Sequence, residues 1–310
     1  MKVSICVVTQ DNADFIKILL KSLEILKHTE ALDIVIVDNY SNDLTSEIVS
    51  GFRDKMNLDF IHLNKRRSLP ANRNLCVQKS KGDIIVMIDS DVEFLQPEFI
   101  ENVVNIFVKN KDVTMLAPII VDSRTGLVQS LGLRKLLRIP YIFVFNFPGS
   151  NLDNLRKFRT LDLFKIDMIH GACFIFRKSL FRDIGGFDEY MEPYNFDEMD
   201  FAIRANLSGY GLFASSTIEI SHYGGGTTGR FKKKYRAELL IRHGMRSIIR
   251  NYSKKPVSGP LILFLFMCGS ALKLAFEYKE RSVLLLMFRS LLWALNHVNL
   301  PIENGSNSSI

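Results

Sequence analysis

The sequence predicts an α/β fold: a mostly parallel sheet with helices on both faces. Three observations lead there. The first hundred residues alternate strand-like and helix-like segments, the pattern of a parallel sheet with crossover helices. Three of the strand-like runs end in Thr9, Asp38 and Asp89, which such a sheet gathers on the rim where ligands bind. The chain has 310 residues, 47% of them hydrophobic, enough for one large core and an appended segment.

Taken in order, VSICVVT is a β-rich run, and FIKILLKSLEILKH follows with Phe15, Leu19, Leu20, Leu23 and Leu26 at helical spacing. ALDIVIVDNYSND is a second strand ending in acids and turn formers, and SEIVSGFRDKM reads as a helix. LDFIHLN is a short third strand, PANRNLCVQKSKG a helix, and IIVMIDSDVEF the fourth strand. From Thr114 the pattern loosens, and residues 122–165 read as basic and aromatic loop or irregular strand. Order returns in IDMIHGACFIFRKSLFRDIGGFDE and FDEMDFAIRANLSGYGLF. After His222 comes the glycine loop YGGGTTGRFKKK, read as a flap, then the helix-like YRAELLIRHGMRSIIRNYS. The composition turns strongly apolar beyond Lys255. These shifts divide the chain into residues 1–230, 231–303 and a tail, 304–310, expected to be disordered.

Forty Lys and Arg against 33 Asp and Glu leave a formal charge of +7. That mild excess suits phosphates or an anionic membrane surface; no nucleic-acid partner is expected. Cys6, Cys76, Cys173 and Cys268 are scattered without a CxxC pair, and they read as small core residues in a reducing compartment rather than a disulfide frame or zinc site. MKVSICVVT is too short and too polar beyond Thr9 for a signal peptide, so a cytoplasmic location is expected.

The fourth strand runs straight into Asp89, Asp91 and Glu93. Acids at strand ends have an ordinary explanation, since Asp and Asn bond to the backbone of exit turns. Here, however, Asp38, Asp89 and Asp91 form a set, and a second acidic cluster, FDEMD, follows about a hundred residues later. An oxygen-rich rim of this kind suits Mg²⁺ or Mn²⁺, which takes a few carboxylates plus substrate phosphates. A strand ending in D-x-D also opens the haloacid-dehalogenase phosphatases, but Glu93 stands where they carry Thr or Val, and no later lysine with a GD pair completes that set. Gly224, Gly226 and Gly229 satisfy G-x-G-x-x-G, yet late in the chain and with no acid about 20 residues on. His28, His62, His243 and His297 read as ordinary histidines. His222 differs, because it ends the strand STIEISH and begins the glycine loop.

Six segments in this order resemble the family 2 glycosyltransferases of GT-A type, and among them the rhamnosyltransferase-like members: VVTQDNADFIKILLKSL, VIVDNYSND, NRN with GDIIVMIDSDVEF, HGACFIFRKSLFRDIGGFDE, DEMDFAIR and ISHYGGGTT. The resemblance spans Lys2 to Arg250. It implies a nucleotide-diphospho-sugar transferase fold with a Rossmann-like mixed sheet, and an inverting, metal-dependent transfer from a nucleotide-sugar. By resemblance, Thr9, Asp38 and Asn39 contact the nucleoside, Asp38 taking the base, and Arg73 runs along the nucleotide. Asp89 faces the ribose or donor sugar, Gly171 and Ala172 border that sugar, and Asp91 and His222 hold the metal. Family members usually read E-D-x-D at the base. This chain reads Asp197-Glu198-Met199-Asp200, so Glu198 takes the base position, with Asp197 as second choice. Gln10 replaces a frequent aromatic. A catalytically silent sugar-nucleotide-binding protein and a phosphatase are the competing readings.

Pro256 to Leu272 holds no charged residue, but its usable helix of about 13 to 16 residues, roughly 20 to 24 Å, is short for a bilayer core of about 30 Å. SVLLLMFRSLLWALNHVNL carries Arg289 midway. Arg242, Arg246 and Arg250 recur every fourth residue just before. Together these predict a helical pair lying on an anionic leaflet, anchored by Trp293 and serving a saccharide or lipid-linked acceptor. The alternative is that these helices pack on the catalytic domain or form a homodimer interface.

Overall fold

The computed structural model describes residues 1–27, 32–135, 143–145, 148–151, 162–225, 232–252, 258–277 and 283–297. His28, Gly226, Gly229, the boundary at 230 and the tail 304–310 lie outside them. Strand β1 (Val3–Thr9) leads through α1 (Ala13–Leu23) to β2 (Asp33–Asp38), and α2 (Thr45–Ser50) leads to β3 (Leu58–His62). Helix α3 (Leu69–Lys79) returns the chain to β4 (Ile84–Asp89), followed by β5 (Val92–Phe94), α4 (Phe99–Lys109) and β6 (Val113–Asp122). Short strands β7 (Val128–Ser130), β8 (Leu133–Lys135), β9 (Phe143–Phe145) and β10 (Leu163–Lys165) fill the region read as irregular. Then come β11 (Cys173–Arg177), α5 (Lys178–Asp183), α6 (Asp197–Leu207) and β12 (Gly211–His222). Three helices close the described chain: α7 (Lys233–Tyr252), α8 (Ser258–Glu277) and α9 (Val283–His297).

The main sheet runs β10-β12-β6-β11-β4-β1-β2-β3. Strands β4, β1, β2 and β3 are mutually parallel, while β11 lies antiparallel between β4 and β6, so the sheet is mixed. The strands are apolar at nearly every position because both faces are covered. Cys6, Val35, Val37, Ile85 and Met87 serve one core cluster. Ile5, Val7, Ile34, Ile36, Val86 and Ile88 serve the other. The chain reverses direction across the sheet between β1 and β4, the kind of switch point where α/β sheets open a ligand crevice.

One core holds a group of phenylalanines. Phe187 and Phe201 lie 4.7 Å apart between ring centroids, and Phe176 and Phe201 5.3 Å apart. Such pairs add about 0.5–1.5 kcal/mol each beyond burial. They seat α6 and the GGFDE loop against β11, which sets where Asp197 and Glu198 stand.

The arginine stripe of α7 does not face a membrane. Arg246 is fully buried and binds Asp188 through two nitrogens, at 2.8 and 3.1 Å. Arg250 bridges Asp188 at 2.5 Å and Asp200 at 2.7 Å, and Arg204 holds Asp200 at 2.7 Å. Arg242 donates to the carbonyl of Glu192 and lies over the Trp293 ring. Trp293 is taken up by α7 and stacks on His297, so it is no free anchor. The spacing correctly put three arginines on one face, and that face meets buried acids. Helix α7 thus packs against α6 and the loop that carries Asp188.

Helices α8 and α9 pack on α7 through Ile262, Phe266, Leu286, Met287 and Ala294. Gly244 permits this crossing, since a Cβ there would sit 2.4 Å from the Phe266 ring. Leu261, Phe264, Leu285, Phe288, Leu292 and Leu295 remain exposed. No described helix is long and apolar enough to cross a membrane. Cys6, Cys76 and Cys173 are buried as expected, but Cys268 is exposed on α8 and is no core residue.

Breaking a buried ion pair leaves an uncompensated charge, at a cost of about 3–5 kcal/mol. Arg246→Met is therefore expected to lose that much stability in urea unfolding, and Asp188→Asn in the same chain to recover part of it. A loss near zero would mean that α7 is not bound to the core through Asp188.

Candidate active site

The ends of β1, β2 and β4 bring Thr9, Asp38 and Asp89 to one rim, as expected. Two more strands complete it. Strand β11 starts where β4 ends: Cys173 pairs with Ile88, and the Asp89 amide donates to the Ala172 carbonyl at 3.0 Å. Gly171 and Ala172 therefore border Asp89. Strand β12 pairs with β5 so that His222 lies beside Val92, which brings the imidazole to Asp91.

Asp89, Asp91 and His222 offer ligand atoms that all lie within 4.8 Å of one another. His222 Nε2 stands 3.4 Å from Asp91, and its Nδ1 lies 2.8 Å from Gln129 Oε1. Burial works against a charge on His222, but the hydrogen bond and charge of Asp91 outweigh it and raise the pKa. Two carboxylates and one imidazole form a donor set that fits a divalent cation such as Mg²⁺ or Mn²⁺. His170 was not singled out in the sequence, although it begins the HGAC segment. Its ring lies edge-on to His222, 5.9 Å between centroids, and its Nδ1 accepts from the Ala172 amide. Burial, with the His222 charge adding to it, lowers its pKa to about 4, so it stays neutral at pH 7.

Behind this set lies Arg73, with only 3% of its side chain exposed. Ser68 caps its helix and Pro70 occupies the first turn. The guanidinium reaches Asp197 at 2.8 Å and Glu198 at 3.4 Å through one nitrogen, and Asp89 at 3.2 Å and the Gly171 carbonyl at 3.4 Å through the other. Phe174 and Phe187 lie against it, with ring centroids 5.5 and 6.0 Å away. Arg73, expected along the nucleotide, spends its donors on the site's own acids and the Gly171 carbonyl, the geometry of a brace.

The two acids at the head of α6 have unlike surroundings. Asp197 is fully buried. Burial raises it to about 7 despite the pull of Arg73, and Glu198 adds to the rise. The Glu198 side chain is 17% exposed and reaches the rim beside Gly171, where an added Cβ would meet its Oε1 at 2.8 Å. A larger residue there would displace the Glu198 carboxylate. Asn195 and Phe196, just before, both take left-handed backbone conformations, with φ of 85° and 78°. Such conformations are costly and cluster at functional sites.

Asp38 is fully buried. It accepts from Ser41, from Ser46 at 2.9 Å and from His62 at 2.8 Å. Both of its oxygens are thus engaged by neighbouring side chains. His62 and Tyr40 stand at the rim instead, 6.4 Å apart between ring centroids. His62, read as ordinary, is thus part of the Asp38 network. Asn39 bonds Gln10 and both backbone groups of Arg67, so it shapes the loop. Among the described residues the buried Thr9 hydroxyl has no hydrogen-bond partner.

Such a mixed sheet, with an acid–acid–imidazole cluster at its rim, defines a nucleotide-sugar transferase fold of GT-A type. The model of "Glycosyl transferase family 2" matches residues 4–185, and the chain belongs to that family. The match sets aside the phosphatase reading. Over 94 residues the chain is 34% identical to the poly(ribitol-phosphate) β-N-acetylglucosaminyltransferase TarS of Staphylococcus aureus, covering 29% of this chain and 16% of TarS. The structure of S. aureus TarS 1–349 with UDP-GlcNAc superposes with a TM-score of 0.63 at 20% identity, covering 96% of this chain and 82% of that one. The mannosyltransferase PcManGT of Pyrobaculum calidifontis, with GDP-Man and Mn²⁺, gives 0.58 at 15% identity, covering 97% and 88%.

The Asp197 carboxyl titrates at about 7, above its ordinary value near ~3.9. Its contribution to stability is therefore present at low pH and lost as pH rises from about 4 through 7. Arg73→Gln removes the charge that holds this pKa down, so the stability lost relative to wild type is expected to be larger at pH 8 than at pH 5. Urea unfolding at the two pH values checks it; equal losses would uncouple Asp197 from Arg73.

Proposed function

We propose that the chain is an inverting, metal-dependent glycosyltransferase that moves a sugar from a nucleotide-sugar donor to a saccharide or lipid-linked acceptor. One observation carries the reading: a single buried guanidinium holds Glu198 on one side and Asp89 of the acid–imidazole cluster on the other. A proton acceptor and a cation-binding set thus stand one side chain apart, across the border formed by Gly171.

Asp89, Asp91 and His222 would hold the cation. When bound, a divalent cation there supplies charge stabilisation to the departing nucleoside diphosphate. Gly171 and Ala172 leave room for the donor sugar. Glu198 is partly exposed and takes the proton of the incoming acceptor hydroxyl, a contribution of about 10²- to 10⁴-fold. Asp197 is fully buried and acts by holding Arg73. With one base and direct displacement, the anomeric configuration inverts. The UDP-GlcNAc and GDP-Man bound by the similar structures support a nucleotide-sugar donor.

Nucleoside diphosphate is expected to stabilise the wild type against heat only with Mn²⁺. Asp91→Asn should lose that effect. Glu198→Gln should keep it while transfer falls at least ~10²-fold, and Asp197→Asn should cost less. A Glu198→Gln enzyme with near-normal turnover would move the base elsewhere. Unimpaired donor binding with no transfer in the wild type would favour a silent binding protein.

The membrane reading rests on a different surface from the arginine stripe. Six large apolar side chains of α8 and α9 are exposed, between 44% and 62%. Arg236 and Arg289 are exposed on the same group of helices. This favours a peripheral position on the anionic, cytoplasmic face of a membrane, where a lipid-linked acceptor would be presented. Replacing Phe264, Phe288 and Leu292 with serine should release the protein from anionic vesicles at unchanged melting temperature. Undiminished sedimentation with vesicles would leave a dimer interface as the use of that face.

A further inference from the structure

Between β6 and β7 the pairing register slips: Ile120 faces Ser130, but Val121 faces Val128. Gln129 is therefore the extra residue of a β-bulge, a device that re-aims a side chain. It is aimed at His222. Its other end meets Asp122, whose Oδ2 accepts from Gln129 Nε2 at 3.1 Å. Asp122 also accepts from the Arg124 and Thr125 amides, the Thr125 hydroxyl and the Arg124 guanidinium. Burial opposes its charge, but these bonds hold its pKa well below the usual carboxylate range.

We propose that Asp122 and Gln129 form a relay of hydrogen-bond direction that keeps the His222 proton on Nδ1 and leaves Nε2 free to bind a metal. The reasoning needs only the identity of the groups. An ionised carboxylate accepts and cannot donate, so Gln129 must turn its NH₂ toward Asp122. Its carbonyl oxygen then faces His222 Nδ1, at 2.8 Å. That nitrogen must carry hydrogen, and when a cation shared with Asp91 takes the place of any proton on Nε2, the lone pair of the neutral ring falls on Nε2, the atom 3.4 Å from Asp91. Gln129 is a positioning residue, one hydrogen bond from His222 and one from the carboxylate that sets its direction. Partners of this kind typically change metal affinity by about 10- to 100-fold.

This inference rests on His222 as a metal ligand, and two separate readouts distinguish its failure from failure of that reading. The first is the tautomer of His222 in metal-free protein labelled with ¹⁵N-histidine, read by long-range ¹H–¹⁵N spectra at the alkaline end of the titration and assigned by its loss in His222→Gln. The wild type is expected to carry the proton on Nδ1. In Asp122→Asn the new amide can donate to Gln129, so that Gln129 can turn its own NH₂ to His222 and the proton shifts toward Nε2. The second readout is Mn²⁺ alone, titrated by water-proton relaxation. Asp122→Asn and Gln129→Leu should each weaken Mn²⁺ binding by about 10- to 100-fold. Adding Gln129→Glu to Asp122→Asn restores an acceptor facing His222 and a donor facing that acceptor, so tautomer and Mn²⁺ affinity should both return. A merely structural role for Asp122 would not be rescued by a second substitution. An unchanged tautomer in both Asp122→Asn and Gln129→Leu, or no rescue by Gln129→Glu, overturns the relay. No Mn²⁺ binding by the wild type overturns the metal reading, with the tautomer result standing on its own.

Discussion

One buried guanidinium organises the site. Arg73 is withdrawn from water, and removing a charge from water is costly unless partners replace the lost hydration. Asp197, Glu198, Asp89 and the Gly171 carbonyl are those partners. They come from the head of α6, the end of β4 and the loop before β11, so satisfying one cation joins three parts of the chain. The dependence is mutual, since three carboxylates this close would repel without a cation among them. Phe174 and Phe187 lie against the guanidinium and keep water from competing.

The brace also separates the two acids of the exchanged pair. Both bond to the same nitrogen of Arg73, yet one is sealed in the core and the other surfaces beside a glycine. Burial drives Asp197 up to about 7, while Glu198, longer by one methylene, reaches the rim. The order Asp-Glu, the reverse of the family's usual order, thus gives the longer side chain the exposed place and the shorter one the buried place. That division supports Glu198 as the proposed proton acceptor.

The sequence discloses most of the sheet and the rim, because apolar runs separated by helical periods report burial directly. Asp89, Asp91 and His222 could be found in this way: each ends or follows a strand, and strand ends converge. Other features were beyond its reach for a common reason. Periodicity tells which residues share a face but not what the face meets. Arg246 and Arg250 stood out as a stripe, but the acids they bind lie 58, 62 and 50 residues away along the chain. The hydrogen-bond partners of Asp38, namely Ser41, Ser46 and His62, come together only in the fold. Gln129 lay in a stretch with no period at all, where a bulge leaves no mark in composition.

The C-terminal helices bear on the chemistry through the short segment before α6. Asn195 and Phe196 hold left-handed conformations, each costing on the order of 1–3 kcal/mol, which persist only where surrounding structure enforces them. Helix α7 supplies much of that enforcement. Arg242 donates to the Glu192 carbonyl, His243 lies 2.7 Å from the Asn195 carbonyl, and the Asn195 side chain donates back to the carbonyl of Arg236. Burial lowers His243 to about 3, so the ring is neutral, and its Nδ1 must carry the hydrogen that meets a carbonyl. Further along, Arg250 ties α7 to Asp188 in the loop and to Asp200 on α6. The strained turn is thus held from the same helix that Trp293 covers and α8 crosses at Gly244. Residues far beyond the family-matched region therefore help fix where Asp197 and Glu198 enter the site, and removing them would relax that turn before it touched the sheet.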